Sequence, residues 1–268
     1  MEQKTDLFDL SGRVAIVTGG CQWLGYDAAE VFAQYGASVI ITSRQAEKAQ
    51  PVCESLHLKY GVDTLALSLD QKDPESVERF ALCAYQWKKR IDVLVNNAGG
   101  GSGKSLGYLF ERDPKDIIDM INTNLTGTLL CCRAVGKYML EQRSGSIINL
   151  GSIAGIVGRD RAIYEQAGIN QQPIDYAAAK AGVIGMTRDL AGLMSPYGVR
   201  VNSISPGGFD KGELPDIFVS QYSGKTMLGR MGTMGHDIKG AAIYLASDAS
   251  SYVTGHNLVV DGGFSVWK

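Results

Sequence analysis

The sequence is short of several features, and each shortage narrows what the protein can be. Its five cysteines, Cys21, Cys53, Cys83, Cys131 and Cys132, are odd in number and contain no C-x-x-C spacing. That argues against a disulfide framework or a thiolate metal site and predicts buried, reduced thiols and no bound metal. Neither charge sign dominates: 26 basic residues face 28 acidic ones, a formal charge of -2. Nucleic acid and anionic membrane are therefore not expected partners. No apolar run approaches the roughly 18 residues of a membrane span. The opening MEQKTDLFDL has no basic stretch leading into an apolar one, so no export signal is expected and a cytoplasmic location is the default.

Glycine is plentiful, at 33 of 268 residues, which suits tight strand-to-helix turns. Short apolar runs recur along the chain: VAIVT (14–18), SVIIT (38–42), TLALSL (64–69), DVLVN (92–96), SIINL (146–150), RVNSIS (200–205) and NLVVD (257–261). Such runs, rich in Val and Ile and bounded by Gly or Asn, predict seven buried strands. Helical patterns lie between them. Asp73-Pro74-Glu75 supplies an N-cap, a proline at the first helical position and a first-turn acid. Val77, Phe80, Ala81, Ala84 and Trp87 then share one face. Asp113-Pro114 opens another helix in the same way. The alternation predicts an α/β fold, a doubly wound seven-stranded parallel sheet with helices on both faces, in one domain over residues 1–268.

The first strand runs into TGGCQWLG (18–25). A glycine turn entering a helix N-terminus favours a pyrophosphate, because free N–H groups and the helix dipole meet there. The usual G-x-G-x-x-G is missing; the glycines are Gly19, Gly20 and Gly25. The second strand also lacks the carboxylate that would hold the ribose diol of NAD(H), and ends in Ser43-Arg44. A hydroxyl and a guanidinium suit a 2′-phosphate, so NADP(H) is favoured over NAD(H).

Tyr176 and Lys180 stand four apart in a helix-compatible run, which puts phenol and ammonium on one face. A neighbouring cation predicts a lowered tyrosine pKa and proton transfer near neutral pH. Ser152 closes the fifth strand, NNAG (96–99) the fourth and SPGG (205–208) follows the sixth, while Asn124 lies in the helical stretch NTNLTG. Ligands of open parallel sheets bind at the carboxyl ends of the strands.

With these motifs, Asp70 and the late VDGG, the chain from Gly12 to about Gly263 resembles the short-chain dehydrogenase/reductase family. The resemblance implies a Rossmann fold and an oxidoreductase moving a hydride between a nicotinamide cofactor and an alcohol or ketone. It implies Tyr176 as acid and base, with Ser152 holding the substrate oxygen. Lys180 would bind the nicotinamide ribose, and Asn124 a relay water. Gly19, Gln22, Trp23, Leu24 and Gly25 would form the pyrophosphate loop, with Ser43 and Arg44 beyond it. Asp70 would meet the adenine, Asn96, Ala98 and Gly99 the adenosine and ribose side, and Pro206 and Gly207 the nicotinamide. A homo-oligomer, tetramer or dimer, is implied, with the last helix and strand near an interface.

Three departures stand out. Trp23 replaces the family's middle glycine. Either the backbone there has ordinary dihedrals and the indole lies on a neighbouring surface, or the indole partly covers the pyrophosphate, or the cofactor is lost. Ser152 and Tyr176 are 24 residues apart, about twice the family's usual spacing. The extra segment, 155–174, carries Arg159, Arg161 and Tyr164. It is either a solvated insertion or a wall that recognises a small polar substrate such as a sugar, polyol or sugar acid. Lastly, no threonine follows SPGG to contact the cofactor amide, and 209–229 is expected to form the other side of the pocket. A non-catalytic nucleotide-binding scaffold and an NAD(H)-preferring enzyme of the same family are the alternatives.

Overall fold

The computed structural model describes residues 6–100 and 107–267. The chain opens with β1 (Val14–Thr18), α1 (Trp23–Gln34), β2 (Ser38–Ser43), α2 (Ala46–Tyr60), β3 (Thr64–Ser68), α3 (Pro74–Lys88) and β4 (Val93–Asn96). It continues through α4 (Pro114–Ile121), α5 (Gly127–Gln142), β5 (Gly145–Leu150), α6 (Ala162–Gln166), α7 (Ile174–Met194) and β6 (Val199–Pro206). The two-residue β7 (Phe209–Asp210), α8 (Asp216–Ser223), the two-residue β8 (Gly232–Thr233), α9 (Lys239–Ala246) and β9 (Asn257–Val260) complete it. All seven predicted strands form, with ends within one residue of the apolar runs.

Those seven make one parallel sheet in the order β3-β2-β1-β4-β5-β6-β9. The chain winds outward from β1 to β3, then returns to β4 on the other side of β1. The reversal leaves a crevice above β1 and β4, where ligands of this architecture bind. Every residue of β1 is buried. Ala15 and Val17 enter a core beneath α1, α2 and α9 with Phe32 and Ile243. Val14 and Ile16 enter the opposite core with Phe80, Val135 and Met139. The period of two in a strand thus serves both layers, which explains why the runs are apolar throughout.

The helix starts follow the local chemistry. The Asp73 carboxylate accepts the Glu75 N–H at 3.0 Å, and Pro74 follows it. Asp113 caps α4 by accepting the Lys115 N–H at 2.8 Å. Between α4 and α5 the helix widens into a π-turn, Asn122–Thr126, which holds Asn124 inward and fully buried. The thiols are all free, but only Cys53, Cys131 and Cys132 are buried. Cys83 is exposed between the inward positions of α3, and Cys21 is half-buried in the glycine loop. Helical periodicity overrides the expectation of burial at Cys83. Among the described residues no helix is long and apolar enough to cross a membrane, and no cluster of His, Cys, Asp or Glu could hold a metal.

Candidate active site

The glycine loop is stitched to β4. The Thr18 hydroxyl accepts the N–H groups of Asn97 and Ala98, each at 3.0 Å. The Asn97 side-chain amide donates to the carbonyls of Thr18 and Gly19, also at 3.0 Å. A Cβ on Gly25 would land on that amide and 2.7 Å from Gly19 O, so only glycine fits. The α1 N-cap, Gln22, makes no side-chain cap bond, and the first turn holds no acid. The N–H groups of that turn therefore have no side-chain acceptor from the cap and no acid within the turn to repel an anion.

Trp23 begins α1 with φ +54°. This rules out the first alternative, ordinary dihedrals: the position holds a left-handed backbone although a bulky side chain occupies it. The indole does not lie on an inert surface. The Lys211 ammonium sits 4.3 Å from its ring centroid.

Loop, strand ends and insertion surround a cleft of about 1260 Å³. Gly19, Gln22, Trp23 and Leu24 line one end, with Ser43, Arg44 and Asp70 beyond. Lys48, in the first turn of α2 and beyond the strand-end motif, joins them. Ala98, Gly99, Pro206 and Gly207 line the middle. Asn96 does not belong to this surface. Its side-chain amide turns inward, donating to Asn149 Oδ1 at 2.8 Å, because odd and even residues of a strand face opposite ways. The neighbouring Asn97 faces the cleft instead. Asn124 also lies off the lining. Its Oδ1 accepts the Gly100 N–H at 2.7 Å and its amide donates to Met120 O at 3.1 Å. It therefore shapes the loop after β4. Gln71, missed by the sequence reading, ties this region together by donating to Ala98 O and Thr123 O.

Ser152, Tyr176 and Lys180 converge on the cleft where β5 ends beside α7. The Ser152 hydroxyl accepts the Ala154 N–H at 3.1 Å and neighbours the Tyr176 phenol. The buried Lys180 ammonium donates to Leu150 O at 2.7 Å and lies 5.7 Å from the Tyr176 ring centroid. Loss of hydration brings Lys180 down to about 8. The Tyr176 phenol is raised above its ordinary value by burial, against the opposing pull of the Ser152 hydroxyl and the Arg159 charge. The predicted lowering of the tyrosine by its lysine is thus not what the fold produces. Desolvation dominates, and the charge that opposes it is that of Arg159.

The 155–174 insertion is clipped shut. Arg159 donates to Pro173 O at 3.0 Å and Gln172 Oε1 at 3.3 Å, and Arg161 donates to Gln172 O at 2.8 Å. Arg159 and Tyr164 line the cleft; Arg161 does not, since its guanidinium is turned to the carbonyls before α7. Nor is the insertion merely polar. Ile163 from α6 packs with Ile153, Phe218, Tyr222 and Met231, and the Tyr164 ring meets Phe218 edge-on at 5.1 Å. This apolar patch joins 155–174 to 209–229, so both segments do border one pocket.

The model of the family described as Enoyl-(Acyl carrier protein) reductase matches residues 22–265. An NADP-dependent mannitol dehydrogenase of Hypocrea jecorina is 36% identical over 267 residues, covering 97% of this chain and 95% of that protein. A 3-oxoacyl-acyl-carrier-protein reductase, FabG, of Aquifex aeolicus is 33% identical over 258 residues, covering 95% and 98%. The crystal structure of a short-chain type dehydrogenase/reductase from Mycobacterium marinum superposes with a TM-score of 0.86 at 31% identity, covering 98% of each chain. The chain belongs to the short-chain dehydrogenase/reductase family of NAD(P)-dependent oxidoreductases.

Proposed function

We propose that this protein transfers a hydride between NADP(H) and a small polar alcohol or ketone, with Tyr176 as proton donor and acceptor. The meeting of Ser152, Tyr176 and Lys180 at the strand-end cleft carries this reading. The cleft suits a dinucleotide. It offers an α1 N-terminus without a side-chain cap and a Gly25 cradle that a Cβ would fill, with Arg44 and Lys48 on its rim. The nicotinamide, when bound, supplies or accepts the hydride.

The protein's own groups handle the proton. Ser152 orients the phenol and stabilises charge on the substrate oxygen. A phenol held protonated by burial is ready to donate in the reductive direction, and Arg159 limits how far its pKa rises. Ser43, Arg44 and Lys48 select the 2′-phosphate. Arg159, Asn170 and Gln171 give the substrate end polar partners, while Ile163 and Phe218 cover carbon. This pattern suits a polyol, sugar or sugar acid, in keeping with the mannitol dehydrogenase relative.

Turnover of a polyol and sugar-acid panel with NADP+ and NAD+ tests the reading. Tyr176→Phe is expected to lower kcat by about 10²- to 10⁴-fold with NADPH affinity nearly unchanged. Unaffected turnover removes Tyr176 from the mechanism.

A further inference from the structure

Two departures from the family pattern, Trp23 in the glycine loop and the missing threonine after SPGG, meet in the folded protein. Lys211 follows β7 directly, and its ammonium lies 4.3 Å from the centroid of the Trp23 indole. Both residues line the same cleft, Trp23 from the first residue of α1 and Lys211 from the segment after β6. Trp23 holds φ +54°, a conformation that bulky residues rarely adopt and that persists where surroundings compensate for it. The cation over the indole face is one such compensation. Among the described residues, no hydrogen bond or ion pair engages the Lys211 ammonium, which lies exposed over the ring. Its N–H donors remain available to an anion.

We propose that Trp23 and Lys211 form a clasp across the mouth of the cofactor cleft, in which Lys211 brings positive charge to the dinucleotide pyrophosphate and Trp23 holds that charge in place. The clasp rests on the dinucleotide reading above. It gives the bulky substitution a use: the indole takes no backbone N–H away from the loop, and it anchors the segment that lacks the family's threonine.

The experiment compares the unsubstituted protein with Lys211→Ala, Lys211→Arg and Trp23→Gly. Binding of NADPH and of 2′-AMP is measured by calorimetry at low and high salt, and NADPH release by stopped-flow fluorescence. Glycine is at ease at φ +54°, and Lys211 is exposed, so the variants should fold. Lys211→Ala is expected to weaken NADPH about tenfold, mainly through faster release, and to flatten the salt dependence. Trp23→Gly should act in the same direction, Lys211→Arg should restore binding, and 2′-AMP, which lacks the pyrophosphate, should bind all forms equally. Unchanged or tighter NADPH binding in both Lys211→Ala and Trp23→Gly overturns the clasp alone. Absence of saturable NADPH binding by the unsubstituted protein overturns the cofactor reading, and the clasp with it.

Discussion

Lys180 is buried against Leu150 O, 2.7 Å from its ammonium, and titrates at about 8. An unfolded chain would hold that proton to roughly pH 10.4. Between these values the unfolded state binds more protons than the folded one, so this group makes stability rise with pH, the reverse of a salt-bridged lysine. Below pH 8 the folded protein carries the full cost of a desolvated ammonium; above about pH 10.4 it carries none. Lys180→Met is therefore expected to compare best with the unsubstituted protein at pH 7 and progressively worse toward pH 10. Thermal unfolding of both proteins across that range measures it, and a constant difference in Tm would contradict the assignment. At the same scale, Asn96 at the end of β4 turns its amide into the core while Asn97, the next residue, lines the cleft.

The first turn of α7 carries Tyr176 and is held from several directions. Arg159 and Arg161 donate to the carbonyls of Pro173 and Gln172. From the other side the Arg112 guanidinium donates to Asp175 Oδ2 at 2.8 and 3.0 Å, in a pair whose side chains are 0% and 4% exposed. Removing one partner of a buried ion pair typically costs about 3–5 kcal/mol. Asp175→Ala is expected to lose stability on that scale in urea unfolding. The double replacement Arg112→Met with Asp175→Leu should recover a large part of it, since apolar substitutes avoid desolvating both charges. A turn loosened at Asp175 should also lower kcat while leaving NADPH affinity nearly intact, because Tyr176 is the next residue and the cofactor rim lies elsewhere.

At the scale of the molecule, the cleft is shared by β1, β4, β5, β6 and the two pocket segments, so a ligand there touches much of the sheet. A ligand that binds only the folded state stabilises it by about 2.7 kcal/mol at 100 times its Kd. NADPH is expected to raise Tm more than NADH at equal concentration. Arg44→Ala should erase most of that difference by removing a 2′-phosphate partner. Equal shifts for both cofactors in the unsubstituted protein would sink the NADP(H) preference.

The sequence alone determined the strands and their order of appearance, the helix starts at Asp73 and Asp113, and the placing of Tyr176 and Lys180 on one helix face. These depend on period, capping and short spacing, which are local properties. What only the tertiary structure decided depends on contacts between distant segments. It set the left-handed backbone of Trp23 beneath Lys211, the upward shift of the half-buried Tyr176 phenol and the inward turn of Asn96. It also clipped the 155–174 insertion shut just ahead of α7, while the apolar face of Ile163 found its partners in α8. Burial, and the charge that burial allows, is a property of the packed molecule, and no stretch of residues carries it by itself.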